Sequence, residues 1–278
     1  MESYAIRTHE LTKSFGSILA VNKLNLKIPY GKTYGLLGPN GAGKTTTIRM
    51  LNGIISSNSG EIYITDKDIK SHEKYVKMIS GFLPESPGLY QKLSAREFLI
   101  FIGELYYLPK SVIISRVEEL LELFGLSERA NDLLEGYSRG MKQKVCLCAA
   151  LIQDPQIIYL DEPTSNLDPA IARMVKDLIK ELVVRADKTI FICTHQLDVA
   201  QELCDQIGII NNGILKIEGS PTEIIENTGA KNLEDAYLKV MGVSKMEDLL
   251  SWRENGEFNK KVVTSGKGKV KKRKRVVV

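Results

Sequence analysis

Long hydrophobic runs are missing from this 278-residue chain. The longest, Val145 to Ile152, falls far short of the ~18 residues that a membrane-spanning helix needs. A secretory leader is missing too, because Met1 to Glu10 carry Glu2, Arg7 and Glu10 without the basic-then-apolar pattern. Both absences predict a cytoplasmic protein that crosses no bilayer unaided. Cysteine is scarce, and none of Cys146, Cys148, Cys193 and Cys204 forms a Cys-x-x-Cys pair, so buried free thiols are expected rather than a disulfide or metal site. Acid is absent from residues 260–278, which hold nine Lys or Arg. With a net charge of +4 over the whole chain, residues 1–259 therefore carry −5. Such a tail has little with which to build a core and is expected to be a disordered arm.

What remains is ordinary for a folded protein. Apolar residues make up 43% and charged residues 26%, which excludes disordered, collagenous and fibrous classes for the body of the chain. The length allows one elaborate domain or two small ones, and no internal repeat is present. The first thirty residues read as strand, with Leu24, Leu26 and Ile28 alternating before Pro29-Tyr30-Gly31. Thr33 to Leu37 is a short apolar strand leading through a glycine-rich turn to a helix at 43–51. Further strands are expected at 61–64 and 78–83. After Pro84 the texture becomes helical, with helices at 95–107, opened by the capping box Ser94-Ala95-Arg96-Glu97, at 111–124 and at 139–152. Strands return at 157–160 and 189–193, each followed by a helix. Asp168-Pro169 opens the first of these helices, Asn212-Gly213 marks a hairpin, and Ser220-Pro221-Thr222-Glu223 caps another helix.

Three motifs carry chemistry. Gly38-Pro39-Asn40-Gly41-Ala42-Gly43-Lys44-Thr45, followed by Thr46, stands between a strand and a helix. Glycines let the backbone curl so that amides point inward, and the helix start adds partial positive charge. Lys44 can neutralise terminal phosphates and Thr45 can ligate Mg²⁺. Next, the apolar strand at 157–160 delivers Asp161 and Glu162 at its C-terminal end, where a parallel sheet would bring them to the phosphate loop. Asp161 suits a magnesium shell, while Glu162 can polarise the attacking water as general base. Finally, Ser138, Arg139, Gly140 and Met141 open a helix with a hydroxyl and a small residue, a second phosphate-compatible start. Around these lie the turn Ser165-Asn166-Leu167-Asp168 and His195 at the end of a strand, placed to hydrogen-bond the γ-phosphate.

The order and spacing of these motifs resemble the nucleotide-binding subunit of an ATP-binding-cassette (ABC) transporter over residues 3 to 225. The resemblance implies an α/β fold: a P-loop NTPase core with a mixed sheet, an N-terminal antiparallel β subdomain and an inserted helical subdomain. It places the ATP-binding core at 1–84 and 156–225, the helical signature subdomain at 85–155, a helical extension at 226–259 and the basic tail at 260–278. It implies ATP and Mg²⁺ as cofactors, Thr45, Glu85 and Asp161 around the metal, Glu162 and His195 as catalytic residues, and Phe15 against adenine. Residues 138–141 would reach the ATP of a second subunit, and residues 165–168 would form the adjoining loop. Two positions depart from the family pattern. The usual Leu-Ser-Gly-Gly-Gln is Tyr137-Ser138-Arg139-Gly140-Met141, and Glu85 stands for the usual Gln, as in the exporter-type branch that serves antibiotic resistance and sodium efflux.

The leading expectation is thus an ATPase on the inner face of the cell membrane, a homodimer or one of a pair, working with separate integral membrane permease subunits. Ser86 to Gln91 would contact them and the tail would touch anionic lipid. A soluble ABC ATPase acting on nucleic acid or ribosomes stands as the alternative, with the tail as its contact. A P-loop kinase would leave the motif at 138–141 without a purpose.

Overall fold

The computed structural model describes residues 3–86, 88–165 and 167–243. The basic tail at 260–278 and residues 244–259 of the expected extension lie outside the described residues.

Two long strands, β1 (Tyr4–Phe15) and β2 (Ile18–Pro29), pair antiparallel across a turn at Gly16. β3 (Thr33–Leu37) runs into the glycine loop and α1 (Lys44–Leu51). β4 (Ser59–Ile64) and β5 (Lys67–Asp68) then complete a four-stranded sheet in the order β2-β1-β4-β5. α2 (Glu73–Ile79) leads directly into β6 (Ser80–Leu83). The strand expected from Met78 thus starts two residues later: Val76 anchors a helical turn in the core, and Ser80 is the first residue to pair, with Ile157.

Three helices follow, α3 (Ala95–Leu105), α4 (Lys110–Leu123) and α5 (Arg139–Leu151). The chain then alternates through β7 (Ile157–Asp161), α6 (Pro169–Val184), β8 (Thr189–Thr194), α7 (Leu197–Leu203) and β9 (Gln206–Asn211). β10 (Ile214–Gly219), α8 (Pro221–Thr228) and α9 (Leu233–Met241) complete the described part. The second sheet has the order β10-β9-β3-β8-β7-β6. Only β10 is antiparallel to its neighbour, through the Asn212-Gly213 hairpin, whose φ values of 48° and 75° suit a two-residue turn that follows strand twist.

Every residue of β3, β7 and β8 is buried, which explains their unbroken apolar sequences: layers cover both faces. Tyr34, Leu36, Tyr159 and Phe191 pack with the four-stranded sheet and α1, whereas Leu37, Ile158, Leu160 and Ile192 pack with the helices beginning at α3. Each fully buried Leu or Ile contributes about 1.5–3 kcal/mol, so the sheet is held from two sides. All four cysteines are buried and free, and burial pushes the Cys146 thiol up to about 12. Both expected capping boxes form, at Ser94 with Glu97 and at Ser220 with Glu223. Among the described residues no helix is long and apolar enough to cross a membrane.

The register decides where function can sit. Leu37 pairs with Thr194, and Asp161 pairs with Cys193. The loops leaving β3, β7 and β8 therefore emerge side by side at one sheet edge.

Candidate active site

The loop at 38–43 curls over that edge. Gly38 N donates to Thr194 O (3.3 Å) and Ala42 N to Pro39 O (3.2 Å). Gly43 has φ 106°, and a Cβ there would stand 2.3 Å from Ala20 O, so only glycine fits. α1 then starts at Lys44 with no side-chain cap, leaving first-turn amides and the positive helix end for an anion. Lys44 folds back over the loop: Nζ donates to the carbonyls of Gly38 (2.7 Å) and Pro39 (3.1 Å) and lies 3.9 Å from Glu162 Oε1. The two hydrogen-bond acceptors are neutral carbonyls, and a multiply charged phosphate would attract the ammonium more strongly than they do. Above the loop lies a cavity of about 360 Å³. Asn40, Gly41, Gly43, Lys44, Thr45 and Thr46 line one side, and Ile18, Leu19, Ala20, Glu85, Glu162 and Asn212 line the rest.

The two adjacent acids have different surroundings. Asp161 is 1% exposed, and its carboxyl is pushed up to about 6, first by burial and then by the charges of Glu85 and Glu162, while Thr45 and Lys44 pull it down. Among the described residues its buried Oδ1 has no hydrogen-bond partner. A buried anionic oxygen beside a threonine hydroxyl is a donor set that fits a hard divalent cation, which commonly takes one or two carboxylates plus substrate phosphates.

Glu162 sits at φ 52°, a left-handed conformation costing a non-glycine residue on the order of 1 kcal/mol. The turn carries its side chain away from Asp161 into a web of donors. Oε2 accepts from Thr194 Oγ1 (3.1 Å) and Ser165 Oγ (3.1 Å), and Oε1 meets His195 Nδ1 (2.7 Å). Gln196 fastens the web by donating from Nε2 to Ser165 Oγ (3.1 Å) and accepting from Thr164 Oγ1 (3.2 Å).

Lys44, Thr45, Asp161, Glu162, His195, Ser165 and Glu85 thus gather at one sheet edge. Phe15 is half exposed at the hairpin tip, paired with Ile18 and under Lys13 Nζ at 5.1 Å. It does not line the cavity; Ile18 and Leu19 do. Nor do Ser138, Arg139, Gly140 and Met141. Ser138 caps α5 by accepting from Met141 N (3.3 Å). A Cβ on Gly140 would meet Ile171 Cδ1 at 2.5 Å, which lets α5 approach α6 closely. Asp168 caps α6 by accepting from the amides of Ala170 and Ile171 (both 3.1 Å), while Asn166 lies outside the described residues. Gln196, Ile18 and Leu19 belong to no motif, and the sequence marks Asn212 only as a turn residue. For Thr194 the one available signal was its position directly before His195.

A strand, glycine loop and helix carrying Lys44-Thr45, facing two carboxylates on a parallel sheet, define a P-loop nucleoside triphosphatase. The family model for the ABC transporter matches residues 21–165. The chain is 38% identical over 232 residues to the bacitracin transport ATP-binding protein BcrA of Bacillus licheniformis, covering 84% of this chain and 74% of that protein. It is 34% identical over 237 residues to the Nod factor export ATP-binding protein I of Bradyrhizobium diazoefficiens, covering 85% and 77%. Among solved structures, an ATP-binding subunit of an ABC transporter aligns with TM-score 0.79 at 27% identity, covering 85% of this chain and 99% of that one. An ATP-binding cassette described as a dimer in a post-hydrolysis state with ADP and Pi aligns with TM-score 0.72 at 25% identity, covering 77% and 98%. The chain belongs to the ABC transporter family, as its ATP-binding, ATP-hydrolysing component.

Proposed function

We propose that this ATPase drives export, through two copies or a closely similar pair that bind ATP between them, on separate membrane subunits. The observation that carries the reading is the convergence of Lys44, Thr45 and Glu162 on one cavity, with Asp161 buried beside Thr45, while the α5 start faces none of it. Export is supported by the relatives named for bacitracin transport and Nod factor export, and pairing by the dimeric cassette.

In this reading the α1 amides and Lys44 bind the β- and γ-phosphates. Asn40, Gly41, Ala42 and Thr46 shape the cradle, and Phe15 stacks on adenine from the hairpin tip. Thr45 and Asp161, with Glu85 near by, would hold Mg²⁺, which supplies positive charge to the terminal phosphates. Glu162 takes the proton of the attacking water. His195 holds that carboxylate through Nδ1, leaving Nε2 for the γ-phosphate. Ser138 to Met141 complete the site of the second copy, next to Ser165, Asn166, Leu167 and Asp168. The ATP-binding core comprises 1–84 and 156–225 and the signature subdomain 85–155.

The membrane subunits would meet a groove of about 1080 Å³ between α2 and α3, which includes Gly88 and Leu89 of the expected contact segment. Its walls combine Phe98, Ile102 and Leu105 with Lys70, Lys74 and a Lys77 that pairs with Glu73. A helix with one apolar face and acidic flanks matches that chemistry. Such docking makes the protein peripheral on the cytoplasmic leaflet, and the tail at 260–278 adds attraction to anionic lipid.

The test is Glu162→Gln. With ATP it should hydrolyse at least about 100-fold more slowly than wild type and run as a dimer by light scattering, while the nucleotide-free protein runs as a monomer. Wild-type turnover in this variant would remove Glu162 as the base.

A further inference from the structure

Beside the nucleotide cavity lies a second, smaller one of about 280 Å³, walled by Glu85, Arg139, Lys142, Gln143, Ser165 and Leu167. Glu85 belongs to the walls of both. The small cavity therefore joins the segment after β6, the first turn of α5 and the turn after β7. Arg139 and Lys142 lie three residues apart on α5 and so project from one face of it.

Charge on the two sides is unequal. Glu85, Asp161 and Glu162 cluster near a single loop cation, Lys44, at a place meant to receive a polyanion. A third carboxylate there opposes nucleotide binding unless something neutralises it. Across the small cavity stand two cations. Among the described residues, the side chains of Glu85, Arg139 and Lys142 make no hydrogen bond or ion pair. Their neighbours on α5 do: Lys144 Nζ donates to Phe124 O (2.8 Å) and Gln143 Nε2 to Pro163 O (3.5 Å). Lys142 is half-buried, while Glu85 and Arg139 are exposed, so the side chains of both partners are free to swing across the cavity.

We propose that Lys142, assisted by Arg139, is a positioning residue for Glu85: closing the small cavity pairs the cations with this carboxylate and screens it from the phosphates of bound nucleotide. The same ion pair ties α5 to the segment after β6, so nucleotide entry and the position of the α5 start become linked within one chain. Long, flexible Lys and Arg side chains can close the gap by rotation about their own bonds, without movement of the sheet. The inference rests on the nucleotide reading of the larger cavity.

The test uses the full chain, dilute enough to stay monomeric, with a non-hydrolysable ATP analogue in EDTA and calorimetry as the readout. Contacts with a second copy and catalysis are then both excluded. Lys142→Gln should weaken the analogue about fivefold, the size of a modest coupling between neighbouring charges. Adding Glu85→Gln should restore affinity to within twofold of wild type, because the unscreened carboxylate is gone. Lys142→Arg should bind as wild type does, and the Lys142→Gln defect should shrink in 0.5 M salt. An unaltered affinity in Lys142→Gln would overturn the proposal. So would a defect that Glu85→Gln leaves in place, since Lys142 would then be touching phosphate itself. Wild type binding no better than Lys44→Ala would instead strike the nucleotide reading underneath.

Discussion

The starts of α1 and α5 are both suited to phosphate, yet they are built in opposite ways. α1 has a left-handed glycine, Gly43, at its cap position and no side chain on its free amides, so its anion site is formed in advance. α5 is closed by its own Ser138, which already accepts from Met141 N, and its start lies outside the cavity that holds the phosphate loop. α3 and α8 sharpen the contrast. In each a Glu at the third helical position completes a capping box, placing negative charge where an anion would sit. α5 has Met141 there and Arg139 at its first position, so its start is capped yet stays positive. The contrast matches the proposed reading, in which the α1 start binds nucleotide alone and Ser138 serves the nucleotide of a second copy.

The largest expected effect falls on the open start. Lys44→Ala should weaken ATP binding at least about 100-fold, because the phosphate loop loses its buried cation; equilibrium dialysis of the monomer measures this. Near-normal affinity would break the contrast at its stronger end.

At the capped start, Ser138→Ala should leave ATP affinity of the monomer unchanged while costing about 1 kcal/mol of stability through the lost cap. Ser138→Arg should abolish the ATP-driven dimer of the Glu162→Gln protein, read by light scattering. An altered monomer affinity in Ser138→Ala would mean that α5 serves its own nucleotide.

The open start also has a cost in stability. Asp161 is held up to about 6 in the fold by burial, against about 3.9 when unfolded. Its ionisation therefore removes stability as pH rises through 6. Asp161→Asn should raise the unfolding free energy of the nucleotide-free protein by about 2 kcal/mol at pH 7.5. The gain should vanish below about pH 4, where Asp161 is protonated in both states.

The smallest effect is a control far from either start. Glu202 is lowered to about 2 by hydrogen bonds from Lys176 and Lys180, so its contribution is complete above the ordinary carboxylate pKa and is lost as pH falls from about 4.3 towards 2. The side chain is 30% exposed and screened, so Glu202→Gln should cost less than about 1 kcal/mol at pH 7. The difference should close at pH 2 in urea titrations.

Much of this was legible in the chain. The glycine loop, Asp161-Glu162, the two capping boxes and Asn212-Gly213 are local signals, in which residues a few positions apart satisfy one another's backbone or force a turn. α2 left no such trace: Val76 is its one buried residue, and one buried position makes no period. The resemblance sets Phe15 against adenine, and the turn at Gly16 leaves it half exposed at the hairpin tip while putting Ile18 and Leu19 on the cavity wall.

Sequence by itself therefore determined the strand, loop and helix units and the chemistry each can offer, because backbone conformation and capping depend on neighbours in the chain. Only the tertiary structure decided what meets what. Strand register set Glu162 beside Thr194 and His195, more than thirty residues away in sequence. The packing of α5 against the core opened one cavity to Glu85, Arg139 and Lys142. Such meetings depend on how buried faces stack, and a face is a property of many side chains at once, which no single motif encodes.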